Sequence, residues 1–485
     1  MTWREVNWLE IVVVSLLLMA CSDKRGPDVF IKALHPIDGN AAVVIYEDGN
    51  RQRIARIDAT GRARWSRVLP GAPLTIAPYN AMAIVGDTVV VRYGHRVDYV
   101  ATDHALAGFS LRDGRLLWDT VLSLYHPGPN GSTARPDIPS FASSLPIGDG
   151  HVAQWANDGV LTRLYSVEAA TGAILSQQLT TDDFRFPYAL GDRVVVNRGE
   201  NTTIFDMTGK ETAHELPTWF AGCVIGDEFL TFELRGYDVA LVALRGADPA
   251  AKRVVVERFH PFGHPDSTPQ LRRCGRYRDR LVLLITMSLD GRADERTFVV
   301  ITDANGQMLH SIDLGRDMQL DGYGVANEYP HAASLSGELT RFVPYVQTTF
   351  EMRGDGVKRF LMLDLEQGAI AWAGPNDESL SQLSLFRVGE RWYTFVVPLG
   401  WTLTVFDGRT GQLAAATRLH AYHGIGEIRP YHVSGDRIWV YAGARGPIGA
   451  ASIALLDAAT LTPIFSRGVK TTDVTAEVRA GLGLK

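Results

Sequence analysis

The chain has 485 residues, 46% of them hydrophobic and 21% charged. That balance belongs to a folded protein with a large core and excludes both wholesale disorder and a multi-span membrane protein. Lys and Arg number 48 against 54 Asp and Glu, a net charge of -6 with no block of basic residues, so nucleic acid is not an expected partner.

Residues 11–20 (IVVVSLLLMA) are an uninterrupted apolar or small run behind a polar start. Ten helical residues reach about 15 Å, half of a bilayer core, so the run is too short to span and reads as the core of a signal peptide over residues 1–20. It ends in Leu18-Met19-Ala20-Cys21, which resembles a bacterial lipoprotein signal and would make Cys21 the lipidated residue. By the same resemblance, Ser22 is not the residue that retains such proteins in the inner membrane. The expectation is an outer-membrane lipoprotein on the periplasmic or cell-surface face, touching the membrane only through its lipid. A linker would cover residues 21–30, one domain residues 31–466 and a C-terminal tail residues 467–485.

Past the linker the sequence repeats itself. ARIDATGRARW (55–65), GFSLRDGRLLW (108–118), LYSVEAATGAIL (164–175), TIFDMTGKETA (203–213), FVVITDANGQML (298–309), FLMLDLEQGAIAW (360–372), LTVFDGRTGQLA (403–414) and IALLDAATLTPIF (453–465) share one pattern, with a weaker copy at 239–259. Each is an alternating apolar run, an Asp-rich turn closing on Gly, and a second run: a β-hairpin. The turn residues are Gly61, Gly114, Gly172, Gly209, Gly246, Gly306, Gly368, Gly411 and, replacing Gly, Leu461. A second hairpin around Gly-Asp or Gly-Glu precedes most copies, as in MAIVGDTVVVRYG (82–94) and YHVSGDRIWVYAG (431–443). Two hairpins make a four-stranded sheet. Such sheets bury their faces by stacking, and a closed ring leaves no end face. An all-β propeller of four-stranded antiparallel blades follows, nine by count, with the units at 187–216 and 222–259 expected to be the irregular ones.

The pattern apolar-x-apolar-Asp-x-x-Thr-Gly-x-x-x-Trp resembles the blade motif of the quinoprotein-like (PQQ-like) propellers, a family that includes quinone-dependent dehydrogenases and BamB-type envelope lipoproteins. The resemblance runs through residues 31–466. It implies eight blades, and a structural role for Trp65, Trp118 and Trp372, each packed between neighbouring blades.

Of the remaining cysteines, Cys223 and Cys274 would meet an oxidising compartment. They bridge if their Cα atoms lie within about 7 Å, and otherwise are two small buried thiols. A quinone enzyme of the resembled family would need adjacent cysteines and a calcium site, and the sequence offers neither. Bound PQQ and calcium are therefore not expected. No Gly-x-Ser-x-Gly, His-Glu-x-x-His or Gly-Lys-Ser/Thr motif occurs. The sharpest metal candidates are His260, His264 and Asp266, in a proline-flanked linker that reads equally well as a polar loop. His420, His423 and His432 form a second, similar set. Loops at 123–141, 260–273 and 321–334 are the places for partner contact. The favoured reading is a non-catalytic scaffold that offers loops or edge strands to another envelope protein, as the resemblance suggests, in outer-membrane protein assembly. The alternatives are a PQQ-dependent dehydrogenase-like enzyme and a glycan-binding or sensory surface propeller.

Overall fold

The structure is a computed structural model. It describes residues 29–484 apart from 49–50, 74–81, 95, 98–100, 103, 124–143, 149, 158–161, 181–184, 199–200, 208–212, 218–221, 236–237, 246–252, 260–268, 289–294, 316–334, 336, 351–355, 378–385, 397–401, 422–425, 435 and 445–451. Among the described residues, no helix is long and apolar enough to cross a membrane.

Among the described residues nine sheets follow one another along the chain as the blades of a β-propeller, antiparallel apart from the short parallel pairing of Gly337–Glu338 with Gln270–Tyr277 in blade 6. Blade 1 sets the pattern with strands Val29–Asp38, Ala41–Asp48, Arg51–Asp58 and Ala63–Val68, hydrogen-bonded in that order. From blade 9 through blade 1 to blade 6 the first strands of successive blades touch, so they line the axis and the last strands form the rim. The ring closes by packing: Val29–Asp38 of blade 1 lies against Gly426–Ser434 of blade 9, and Ile31, Leu34 and Val44 share a core with Trp439, Ile453 and Leu455.

The count of nine turn motifs matches the nine sheets, not the eight blades implied by the resemblance. The fourth and fifth units, expected to be irregular, are ordinary four-stranded sheets. Departures from four lie elsewhere. Blades 2, 6 and 8 have five strands, and blade 7 has three among the described residues, Phe342–Phe350, Gly356–Asp364 and Ala369–Asp377.

Period-two alternation also proves too simple for the middle of each blade. Every residue of Thr88–Gly94 is buried, and so are all residues of Asp238–Arg245 except its two ends. A middle strand has a blade on each face, so both sets of side chains leave water and the sequence reads as a continuous apolar run. A rim strand shows the opposite: in Ala63–Val68 only Trp65 is buried.

After its ninth blade the chain turns back. Strand Val469–Asp473 joins blade 8 as a fifth strand, antiparallel to the rim strand Leu413–Ala421, with Ala421 opposite Val469 and Thr417 opposite Asp473. The amide of Val474 donates to the Ala416 carbonyl at 3.0 Å, and the Ala416 amide donates to Thr475 Oγ1 at 2.9 Å. A short helix, Thr475–Gly481, follows, and Val478 and Leu482 bury against the core that holds Phe360 and Phe406. Arg418 pairs with Glu477 at 2.5 Å across this junction.

Candidate functional site: blade seams and rim edges

The chemistry of the ring is concentrated where blades meet and where they end. At four seams the residue four positions beyond one blade's turn residue meets the turn glycine of the next blade. Trp65 lies over Gly114, and its Nε1 donates to the Leu111 carbonyl at 3.0 Å. Trp118 lies over Gly172 and donates to the Ala169 carbonyl at 2.8 Å. His310 lies over Gly368, and Phe465 over Gly61, which repeats the contact at the closing seam. The glycine serves two needs at once. At Gly114 the backbone has φ +71°, and a Cβ there would stand 2.5 Å from Trp65 Cδ2. The ninth turn has no glycine, and Leu461 adopts φ 57° while buried, a conformation that costs an L-residue about 1–2 kcal/mol.

Trp372 sits differently. It stacks on Phe360 of its own blade at 5.4 Å and tilts against Phe406 of blade 8 at 5.9 Å, whereas Gly411 is met by Met362 and Phe342. Its contact with the next blade is therefore through an aromatic cluster and not through the turn.

Cys223 lies on the first strand of blade 5, Cys223–Ile225, and Cys274 on the first strand of blade 6, Gln270–Tyr277. Their Cα atoms are 5.8 Å apart and a disulfide joins them. Both side chains are buried in one core with Leu230, Phe232, Leu271 and Leu283.

Other candidates from the sequence are not brought together. Cys21, His260, His264 and Asp266 lie outside the described residues, as does His423. So do residues 124–141, 260–268 and 321–334, most of the three partner-contact loops. His420 is on the rim strand of blade 8 and His432 on the first strand of blade 9. Among the described residues, no group of three or more His, Cys, Asp or Glu could hold a metal ion.

Two features escaped the sequence. The first is a buried polar pair in blade 2. An Arg92 Nη2–H donates to His104 Nδ1 at 3.3 Å, and both residues are almost fully enclosed. Burial, reinforced by the neighbouring guanidinium, pushes the His104 imidazole down to about 3, so it stays neutral with its proton on Nε2. Burial also lowers Arg92, to about 10, and it remains charged at neutral pH.

The second is the apolar surface of the rim. Val68, Leu116, Leu117, Val121, Ile174, Leu175, Val254, Met308, Leu309, Ile370 and Ile464 are the exposed large hydrophobic residues of the described chain, and every one lies on the outermost described strand of its blade. Most stand two or three positions after the turn residue, where the motif places them between Gly and the docking aromatic. Blade 8 differs: Val469–Asp473 pairs with its rim strand and the segment that follows, with Val474, Val478 and Leu482, covers Leu413, which is buried. The clue in the sequence was a pair of apolar residues, such as Leu116-Leu117 or Ile174-Leu175, where strict alternation would have placed one.

Comparison with known proteins sets this geometry in context. Residues 31–205 match the family model described as outer membrane protein assembly factor BamB. No curated protein matches the sequence. Among solved structures, quinohemoprotein alcohol dehydrogenase from Comamonas testosteroni is 14% identical, with 79% of this chain and 74% of that one covered and a TM-score of 0.40. Apo AztD from Citrobacter koseri is 11% identical over 80% of this chain and 93% of that one, with a TM-score of 0.34. A eukaryotic initiation factor is 9% identical over 82% and 91%, with a TM-score of 0.41. Likenesses of this degree say nothing about ligand or activity. Over residues 31–205, where the family model matches, the chain is similar to the PQQ-like, BamB-type repeat propellers, and the hairpin motif of that stretch recurs through all nine blades.

Proposed function

We propose that the protein is a lipid-anchored propeller of the bacterial envelope that works as a non-catalytic scaffold, receiving an extended segment of another envelope protein on a rim edge. The observation that carries this reading is the chain's own use of such an edge. On blade 8 the rim accepts a fifth strand, and the segment that follows it, Val474, Val478 and Leu482, buries Leu413, while among the described residues the rims of seven other blades leave apolar side chains in water. A strand added to an open edge satisfies backbone N–H and C=O groups and covers those side chains in one step. The family model matched by residues 31–205 is described as an outer-membrane assembly factor, and that role, assembly of outer-membrane proteins, is the one we favour here.

A photo-crosslinking residue tests this in native membranes. Placed at Leu117 or Leu175, it is expected to capture one discrete envelope protein, whereas the same residue at the exposed turn position Arg409 should capture none. Equal yields at all three, or no adduct at Leu117 and Leu175, would count against docking on the rim.

The anchor has its own test. Cys21→Ala is expected to move the protein from the membrane fraction to the soluble fraction, because one residue carries all the lipid. Retention on the membrane at high salt would overturn the lipid assignment.

A further inference from the structure

The closing seam differs from the first two by one aromatic ring. Trp65 and Trp118 each fill their seam with an indole that covers a turn glycine and donates to a backbone carbonyl. Between blades 9 and 1 the same position is Phe465, which covers Gly61 but is smaller and has no N–H. Beside it is a cavity of about 160 Å³, open on one side, lined by apolar groups of Ile31, Val44, Ala55, Ile57 and Ile453. Two polar residues complete the lining. Tyr46 comes from blade 1, its hydroxyl in a 2.8 Å hydrogen bond with Ser66 Oγ. Arg467 comes from blade 9, on the rim strand directly opposite Ile453. Arg467 is exposed and makes no ion pair among the described residues.

We infer that this seam is a binding site for a small monocarboxylate whose body is one aromatic ring or about six carbons. An apolar cavity of about 150 Å³ stays dry and takes up benzene, so a space of this size selects a single ring. A guanidinium at the mouth selects an anion, because a carboxylate accepts charge-assisted hydrogen bonds from it. The ring enters between Ile31, Ile57 and Phe465 and the carboxylate stays at the solvent edge with Arg467. The carboxylate therefore keeps part of its hydration and pays little for desolvation.

The test uses the full mature chain and 3-phenylpropionate, followed by isothermal titration and by saturation-transfer NMR. Eleven non-hydrogen atoms at ordinary ligand efficiency lead to a dissociation constant of about 0.1–1 mM. The neutral analogue 3-phenylpropan-1-ol should bind about tenfold more weakly, and Arg467→Gln should weaken the acid by about the same factor without changing the alcohol. Phe465→Trp should abolish binding of both by restoring the indole. Ala63→Leu, at an exposed position on the cavity wall, does the same without touching the core and serves if the tryptophan variant folds poorly. The proposal is overturned if the acid shows no binding at 10 mM, if acid and alcohol bind alike, or if folded Phe465→Trp or Ala63→Leu protein still binds the acid.

Discussion

Trp118→Ala is expected to lower the unfolding free energy by about 3–5 kcal/mol, the cost of emptying a buried aromatic site. The indole packs with Val90, Leu106, Val152, Tyr165 and Val167, residues from both sides of the blade 2 to blade 3 seam. Its truncation also strands the Ala169 carbonyl that accepts from Nε1, which adds the penalty of an unmet buried acceptor. The facing glycine gives an independent handle on the same contact. At Gly172, φ is +75° and a Cβ would stand 2.5 Å from Trp118 Cδ2. Gly172→Ala should therefore cost about 1–2 kcal/mol for the backbone conformation and about 1–3 kcal/mol for the forced displacement of the indole. The two losses are not independent. Once the indole is gone the new methyl has room, so the double variant should be less destabilised than the sum of the singles by at least about 1 kcal/mol. Guanidinium denaturation of the four proteins measures this directly. Strict additivity would mean that tryptophan and glycine do not dock on one another, and the account of the seams would have to be abandoned.

The same residues show what a linear sequence can convey about such a ring. Hairpins were legible because their signals are local: Asp58, Thr60 and Gly61 lie within four positions, and Asp58 Oδ1 accepts hydrogen bonds from the Thr60 amide and hydroxyl and from the Arg62 amide. The number of blades was legible for the same reason, one turn motif to one sheet. The pairing of Trp65 with Gly114 was not, since spacing identifies both members but not which turn each aromatic meets. Closure was hidden further still, because Phe465 and Gly61 come from opposite ends of the chain and only the completed circle makes them neighbours. The fifth strand of blade 8 carried no signal at all: Val469–Asp473 is five residues long with no turn motif of its own, and it is a strand only because an open rim lies beside it. The buried Arg92–His104 pair lies within one blade, where two neighbouring strands bring the residues together, whereas contacts set by the circle were hidden for a different reason. The cavity beside Phe465, lined from blades 1 and 9, is of this kind.

Replacing both cysteines, Cys223→Ala with Cys274→Ala, should remove about 4 kcal/mol of stability, the loop-closure value for two residues 51 positions apart. The separation is about one repeat, so the bond ties the axial strand of blade 5 to that of blade 6 across a single seam. A ring held at its closing seam by packing alone is open to local unfolding of one blade at a time; a covalent tie makes blades 5 and 6 open together or not at all. Dithiothreitol should lower the denaturation midpoint of the native chain to that of the double variant and leave the variant itself unmoved. Because Cys274 is fully enclosed and Cys223 nearly so, the reductant needs the seam to open first. Reduction is therefore expected to be slow in buffer and to accelerate in mild denaturant. Protein made in a reducing cytoplasm should show the lower midpoint from the start and gain the difference on oxidation, which links the bond to the oxidising compartment that the proposed envelope location supplies. If reductant leaves the midpoint of the native chain unchanged, the two sulfurs are thiols in solution, and the seam between blades 5 and 6 is held, like its neighbours, by non-covalent contacts alone, the Arg276–Glu228 ion pair among them.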